Sequence, residues 1–70
     1  MRKFNPKKIK EYREMAGMTQ EALADKMGLH PQQISAWERE DIKGLTIRSL
    51  IKICEALKNT PNDYFEESST

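Results

Sequence analysis

The stretch TQEALADKMGLHPQQISAWE, residues 19–38, decides the fold of this chain. Thr19 is a good N-cap, since its hydroxyl can accept a backbone N–H group of the first helical turn. The residues after it are mostly strong helix formers, and Gly28 supplies the left-handed residue that commonly ends a helix. His30 is the expected cap of the next helix, and Pro31 takes its first position, where proline is favoured. The stretch therefore predicts a helix, a turn of about four residues and a second helix.

The second predicted helix, which runs from Pro31 to about Arg39, has one apolar and one polar face. At about 100° per residue, Ile34 and Trp37 point the same way, and we expect that side to be core. The polar side carries Gln32, Ala36 and Arg39, with Ser35 on its flank and Gln33 more towards the side. In DNA-binding versions of this arrangement the second helix enters the major groove, where a glutamine amide can pair with adenine N6 and N7. The alternative is an αα-hairpin with an ordinary solvated face.

Length and composition restrict the chain to one small domain. Its 70 residues are near the size at which a single hydrophobic core is only just sufficient. The lone cysteine, Cys54, has helical spacing with Leu50 and Leu57, which predicts a buried small hydrophobe and no disulfide. No apolar run approaches the roughly 18 residues of a membrane span, and residues 1–10 lack the features of a signal peptide. We therefore expect a cytoplasmic protein with no membrane association.

The net charge of +1 is unevenly distributed. Residues 1–13 hold six basic side chains and one acidic one, whereas every charge after Lys58 is acidic. A solvated, charged arm is one interpretation of the basic end; phosphate contact by some of Lys3, Lys7 and Lys8 is the alternative.

Three more helices are predicted outside the central stretch. Asn5 and Pro6 read as the cap and first position of the first helix, and Gly17 ends it. Thr46 caps the fourth, and its amphipathic stripe consists of Ile47, Leu50, Ile51, Cys54 and Leu57. Thr60 and Pro61 open a short fifth helix. The sequence shows no sheet signal, so the expected fold is all-α.

Residues 9–65 resemble the Cro and phage-repressor type (XRE-like) helix-turn-helix DNA-binding family. The matching pieces are Ile9-x-x-Tyr12-Arg13, Thr19-Gln20-Glu21-x-Leu23-Ala24-x-x-Met27-Gly28, Ile34-Ser35-x-Trp37-Glu38-Arg39 and Leu50-x-x-Ile53-x-x-Ala56-Leu57. The resemblance implies a compact five-helix bundle of the phage-repressor DNA-binding domain type, with the helix-turn-helix formed by helices 2 and 3.

The chain departs from the family pattern at two connections. The charged loop 38–44 is one residue longer than the commonest spacing, and it has Glu40 where many relatives have glycine. Lys58 and Asn59 replace a glycine and an apolar residue, and we expect Asn59 to take the left-handed conformation.

The resemblance also places five residues at positions that read bases in the family. They are Pro31, Gln32, Gln33, Ser35 and Ala36. Gln32 is the first choice from geometry as well, whereas Ala36 can offer only a methyl group and Pro31 only apolar or shape contacts. We expect A·T pairs opposite Gln32 and Gln33.

Contacts to the DNA backbone are assigned to Gln20, Thr19, His30, Arg13 and Arg39. The backbone N–H of Gln20 lies at the positive end of a helix, a natural phosphate site, and the resemblance places a DNA-contacting glutamine there. It also implies that Arg13 and Glu38 form a structural pair joining the first helix to the end of the recognition helix. Plain capping of Gln20 and two solvated charges are the alternatives.

The function expected from these features is a sequence-specific, double-stranded DNA-binding transcriptional regulator. A repressor that excludes polymerase is the preferred form, and it binds a palindromic operator as a homodimer, because one helix reads only about four or five base pairs. The fourth helix and the end at Tyr64 and Phe65 are candidate dimer surfaces. An antitoxin-like protein-interaction module that also autoregulates its operon is the alternative.

We expect no enzyme activity, since no paired acid and base, metal cluster or phosphate loop is evident. No cofactor, metal site or small-molecule effector is expected either, and His30 lacks a second ligand at metal-binding spacing. The predicted organisation is a basic N-terminal arm at 1–4, a DNA-binding domain at 5–66 and a flexible tail at 67–70.

Overall fold

The structure, a computed structural model, describes residues 2–67 and is mostly helical. Its elements are β1 (Arg2–Phe4), α1 (Lys7–Met15), α2 (Gln20–Met27), α3 (Pro31–Glu38), α4 (Ile47–Leu57), a 3-10 turn (Pro61–Tyr64) and β2 (Phe65–Glu67). The helix-turn-helix formed by α2 and α3 is as expected. The expectations of five helices and of an all-α fold are wrong, because the described residues form four α-helices and a two-stranded sheet.

Side-chain hydrogen bonds satisfy N–H groups at the starts of α1 and α2. The helix α2 begins after Thr19 as predicted, whereas α1 begins at Lys7 with Pro6 as its N-cap, one residue later than predicted. The Lys7 N–H donates to Asn5 Oδ1 at 3.1 Å, with Pro6 between them. Thr19 Oγ1 accepts from the Ala22 N–H at 3.0 Å. Such caps satisfy N–H groups that the first turn of a helix leaves without partners.

The core lies where the inner faces of the helices meet. Its buried hydrophobic residues are Ile9, Leu23, Ala24, Met27, Ile34, Trp37, Leu50, Ile53, Cys54 and Tyr64. Ala24, only 1% exposed, lies on the buried side of α2. Trp37 and Cys54 are buried as expected. Burial also raises the pKa of Tyr64 to about 12, and its hydroxyl donates to Asn59 Oδ1 at 3.1 Å.

The predicted fifth helix is a single 3-10 turn that leads into β2. Thr60 donates its N–H to Asp63 Oδ2 at 3.0 Å, which caps the turn. After the buried Tyr64 the chain is extended, and Phe65 pairs with Phe4 in an antiparallel register. This pairing needs a partner from the far end of the chain, so no local pattern indicates it.

Side chains join the two chain ends around this sheet. Arg2 donates to the Asn62 side chain and, at 3.0 Å, to the Asn62 carbonyl. Lys8 Nζ lies 3.4 Å from Glu66 Oε1, to which Asn5 also donates. Hydrogen bonds from Asn5 and Lys8 lower the pKa of Glu66. The ionised carboxylate therefore stabilises the contacts that join the residues around β1 to those around β2.

This sheet contains residues from both of the segments that were predicted to be a terminal arm and a terminal tail. Residues 2–4 of the predicted N-terminal arm form β1, so they are paired with β2 instead of extending as a free arm. Of the predicted tail at 67–70, Glu67 is the last residue of β2, and residues 68–70 lie outside the described residues.

The end of α4 corrects another expectation. Lys58, with φ +59°, takes the left-handed conformation expected of Asn59. The Asn59 N–H donates to the Cys54 carbonyl at 3.0 Å, which closes the last turn of α4. The left-handed residue is therefore Lys58, one position before the predicted Asn59.

Candidate nucleic-acid interface

A tight turn sets α3 against α2. Gly28 has φ +70°, a conformation that a Cβ atom disfavours. The Leu29 N–H donates to the Ala24 carbonyl at 2.9 Å, and the chain then reaches His30, the N-cap of α3. This backbone hydrogen bond closes the turn, and α3 begins at Pro31.

The helix α3 divides into a core face and an outer face. Ile34 and Trp37, 0% and 3% exposed, point into the core. Of the five predicted base-reading residues, Gln32 and Gln33 are exposed, whereas Pro31, Ser35 and Ala36 are half-buried. The most accessible of these five residues therefore lie in the first turn of α3. In DNA-binding versions of this arrangement, the first turn leads into the groove.

The two adjacent glutamines differ in what their amides can do. Gln33 Oε1 accepts from the His30 N–H at 3.2 Å and so caps its own helix. The Gln32 side chain makes no hydrogen bond with any residue between 2 and 67. Since a bidentate contact to adenine uses both the carbonyl and the NH2 group, Gln32 alone keeps both groups available.

The far end of α3 carries a cation. The exposed Arg39 donates from Nη1 to Ser35 Oγ at 3.3 Å, one turn earlier. The Ala36 carbonyl accepts from the Asp41 N–H at 2.9 Å, which turns the chain away from the helix. Arg39 is thus next to Ser35, and its charge remains accessible to a phosphate.

The beginning of α2 lies against the end of α3. Gln20 Nε2 donates to Glu38 Oε1 at 2.9 Å, so this side chain is directed towards α3. Sequence reasoning missed this hydrogen bond, because its two residues lie on different helices and, unlike Arg13 and Glu38, they were not paired by the family resemblance.

Thr19 and His30 are exposed. Since Thr19 takes the Ala22 N–H, the backbone N–H groups of Gln20 and Glu21 are the feature of α2 suited to a phosphate.

Arg13 and Glu38 are brought together between α1 and α3. Arg13 Nε donates to Glu38 Oε2 at 2.7 Å, and Nη2 donates to Oε1 at 3.2 Å. The third nitrogen, Nη1, donates to the Met18 carbonyl at 2.7 Å. The exposed fractions of the two side chains are 9% and 5%, and the hydrogen bond to Glu38 raises the pKa of Arg13.

This geometry separates Arg13 from the other residues assigned to the DNA backbone. Its guanidinium nitrogens all donate inside the protein, and the residue is only 7% exposed. Direct phosphate contact by Arg13 is therefore not supported, and its place is that of a residue that orients α3.

The loop after α3 presents charges of both signs. Glu40, Asp41 and Lys43 are all exposed, and Glu40 has φ +70°. The left-handed backbone is the one that glycine adopts at no steric cost. The two carboxylates oppose any phosphate that approaches this loop, whereas Lys43 attracts it.

The described residues include no group of three or more His, Cys, Asp or Glu side chains that could hold a metal ion. Within residues 2–67, no helix has the length and apolar character needed to cross a membrane.

A family model described as helix-turn-helix matches residues 9–64. The match contains α1 from Ile9 onwards, α2, α3, α4 and the 3-10 turn, and it leaves β1 and β2 outside. No curated protein matches the chain.

Solved structures of two kinds are similar to this one. SinR, described as the master regulator for biofilm formation in complex with DNA, is 28% identical with a TM-score of 0.74, over 81% of this chain and 90% of that chain. Hydroxypropylphosphonic acid epoxidase from S. wedmorenis is 26% identical with a TM-score of 0.83, over 91% of this chain. Apo-HppE is 28% identical with a TM-score of 0.81. This chain spans only 34% of each of these two HppE chains.

Proposed function

This chain belongs to the helix-turn-helix family, and from that membership we propose that it is a sequence-specific, double-stranded DNA-binding transcriptional regulator. The observation that carries the proposal is the outer face of α3, where Gln32 and Gln33 are exposed while Glu38 fixes the other end of the helix. The similarity to SinR, a regulator described in complex with DNA, supports it over most of both chains.

In this proposal the first turn of α3 enters the major groove. Gln32 reads adenine with both polar groups of its amide. Gln33, whose carbonyl caps the helix, keeps only its NH2 group for a base acceptor. Pro31, Ser35 and Ala36 supply shape, hydroxyl and methyl contacts around these two glutamines.

Backbone contacts in the proposal come from both sides of α3. The first-turn N–H groups after Thr19 bind one phosphate, and His30 and Arg39 approach others from the two ends of α3. Such contacts fix the register of the protein on DNA, whereas the bases decide the sequence.

We further propose that two copies bind a palindrome and that the complex represses transcription by excluding polymerase. The reason is that one short helix contacts too few base pairs to specify a single site in a genome. A twofold dimer doubles the site, with half-sites about one helical turn apart.

Selection of bound duplexes from a random pool, at about 150 mM salt, tests this function. We expect a palindrome with an A·T pair at the position that Gln32 reads. The variant Gln32→Ala is expected to lose preference at that position by about fivefold or more, since a bidentate pair contributes about 1–3 kcal/mol of discrimination.

Gln33→Ala is the matched control, because it removes the same side chain from the next position of the same helix. We expect it to weaken the helix cap and to leave the adenine preference of Gln32 in place. An unchanged motif with Gln32→Ala would reject the assigned reader, and binding without any motif would favour a protein-interaction module.

A further inference from the structure

The outer surface of α4 is more apolar than a solvated helix requires. Ile47 and Ile51, one turn apart, are 68% and 46% exposed. The core takes Leu50, Ile53 and Cys54 from the neighbouring face of the same helix, all of them 4% exposed or less. Contiguous exposed apolar patches mark binding surfaces, and the two isoleucines contribute such apolar area on one side of α4.

Two opposite charges accompany these isoleucines. Arg48 lies three residues before Ile51, and Glu55 lies four residues after it. Both are exposed, and neither makes an ion pair with a residue between 2 and 67. Seven residues of helix separate them by about 10 Å along the axis, which is too far for an ion pair within one chain.

We propose that a second copy of this chain packs on this surface, with the two α4 helices antiparallel about a twofold axis at Ile51. The axis places Ile51 of one chain against Ile51 of the second copy. It also brings Arg48 of each copy next to Glu55 of the other, because the two residues lie at similar distances on opposite sides of the axis. The surface, made of Ile47, Arg48, Ile51 and Glu55, is therefore complementary to itself in charge.

The area of this surface indicates how strong the dimer is. A stable protein interface buries about 800 Å² on each partner, and the whole chain exposes 4943 Å². One face of an 11-residue helix supplies only part of that area. The pairing is therefore weak in free solution and is completed on DNA, where adjacent half-sites hold two copies together; this last step rests on the proposed function.

Cysteine cross-linking without DNA tests the surface. In a Cys54→Ala background, Ile51→Cys places one thiol per chain at the proposed axis. Oxidation at high protein concentration is expected to give disulfide-linked dimers several-fold faster than in Met15→Cys with the same background. Met15, 80% exposed on α1, is the matched control for accessible hydrophobic positions. Equal rates for the two variants would overturn the proposal.

Charge reversal provides the second measurement. Added to the Ile51→Cys chain, Arg48→Glu or Glu55→Arg alone is expected to slow cross-linking, and the two together are expected to restore it. Circular dichroism of each variant verifies that it is folded. If the doubly reversed variant is folded but its cross-linking rate is not restored, the proposal is also overturned.

The two proposals fail separately. Cross-linking with no selected DNA motif would remove the regulatory function and keep the α4 surface. A selected palindrome without preferential cross-linking would keep the function and reject this surface.

Discussion

Arg13 is the residue on which the orientation of α3 depends. It lies on α1, and its guanidinium group donates both to Glu38 on α3 and to the Met18 carbonyl before α2. Gln20 adds a hydrogen bond from α2 to the same carboxylate. Three helices therefore meet at one buried ion pair, and the geometry of the outer face of α3 follows from it.

Removing this carboxylate is expected to destabilise the fold. Glu38→Ala leaves the buried guanidinium without its counter-charge and the amide of Gln20 without its acceptor. We expect a loss of about 3–5 kcal/mol of unfolding free energy, measured by urea denaturation. Glu40→Ala is the control: Glu40 is exposed and makes no ion pair with a described residue, so its effect should stay within about 0.5 kcal/mol. Equal, small effects of the two substitutions would contradict this role of the pair.

At the scale of elements, the ends of the helices carry the most specific chemistry. Gly28 and Lys58 both end helices in the left-handed conformation, with φ of +70° and +59°. Glycine adopts that conformation freely, whereas a residue with a Cβ atom loses about 1 kcal/mol or more. The end of α4 therefore carries a backbone strain at Lys58 that the end of α2 avoids with Gly28.

Lys58→Gly is therefore expected to stabilise the protein by about 1 kcal/mol, measured from the midpoint of chemical denaturation. Lys52→Gly is the matched control, since it places the same residue change in the interior of α4. There glycine lowers the stability by about 1 kcal/mol. If both substitutions lowered the stability, strain at Lys58 would not be the controlling factor.

At the scale of the whole molecule, the two chain ends close on each other. Phe4 and Phe65 are paired across β1 and β2, and their rings meet edge to face with centroids 5.5 Å apart. Phe4 also packs near the buried Tyr64, at 6.5 Å between ring centroids. The sheet is therefore attached to the helical core by aromatic side chains as well as by its backbone hydrogen bonds.

This attachment predicts that the sheet unfolds together with the helices. Phe4→Ala is expected to lower the unfolding free energy by about 2 kcal/mol, because a half-buried aromatic side chain is lost. Lys3→Ala, on the same strand but exposed, should change it by no more than about 0.5 kcal/mol. Equal effects in thermal unfolding would show that the strands open independently of the helical core.

The sequence by itself determined the parts of the fold that depend on near neighbours. The bond from Lys7 to the Asn5 side chain, the cap at Thr19 and the turn at Gly28 each involve residues within a few positions of one another. The inward direction of Ile34 and Trp37 follows from the helical period alone. These features could be predicted because a helix forms most of its hydrogen bonds within one turn.

Only the tertiary structure decided the features that join distant residues. β1 and β2 are three residues each, too short to show an alternating pattern, and they are separated by about 60 positions. The bond from Gln20 to Glu38 appears only after α2 and α3 have packed. The apolar stripe of α4 likewise does not tell which of its residues the other elements cover. Packing buries Leu50 and Ile53, whereas Ile47 remains exposed. Periodicity predicts the face of a helix, but the positions of the other elements decide how much of that face is covered.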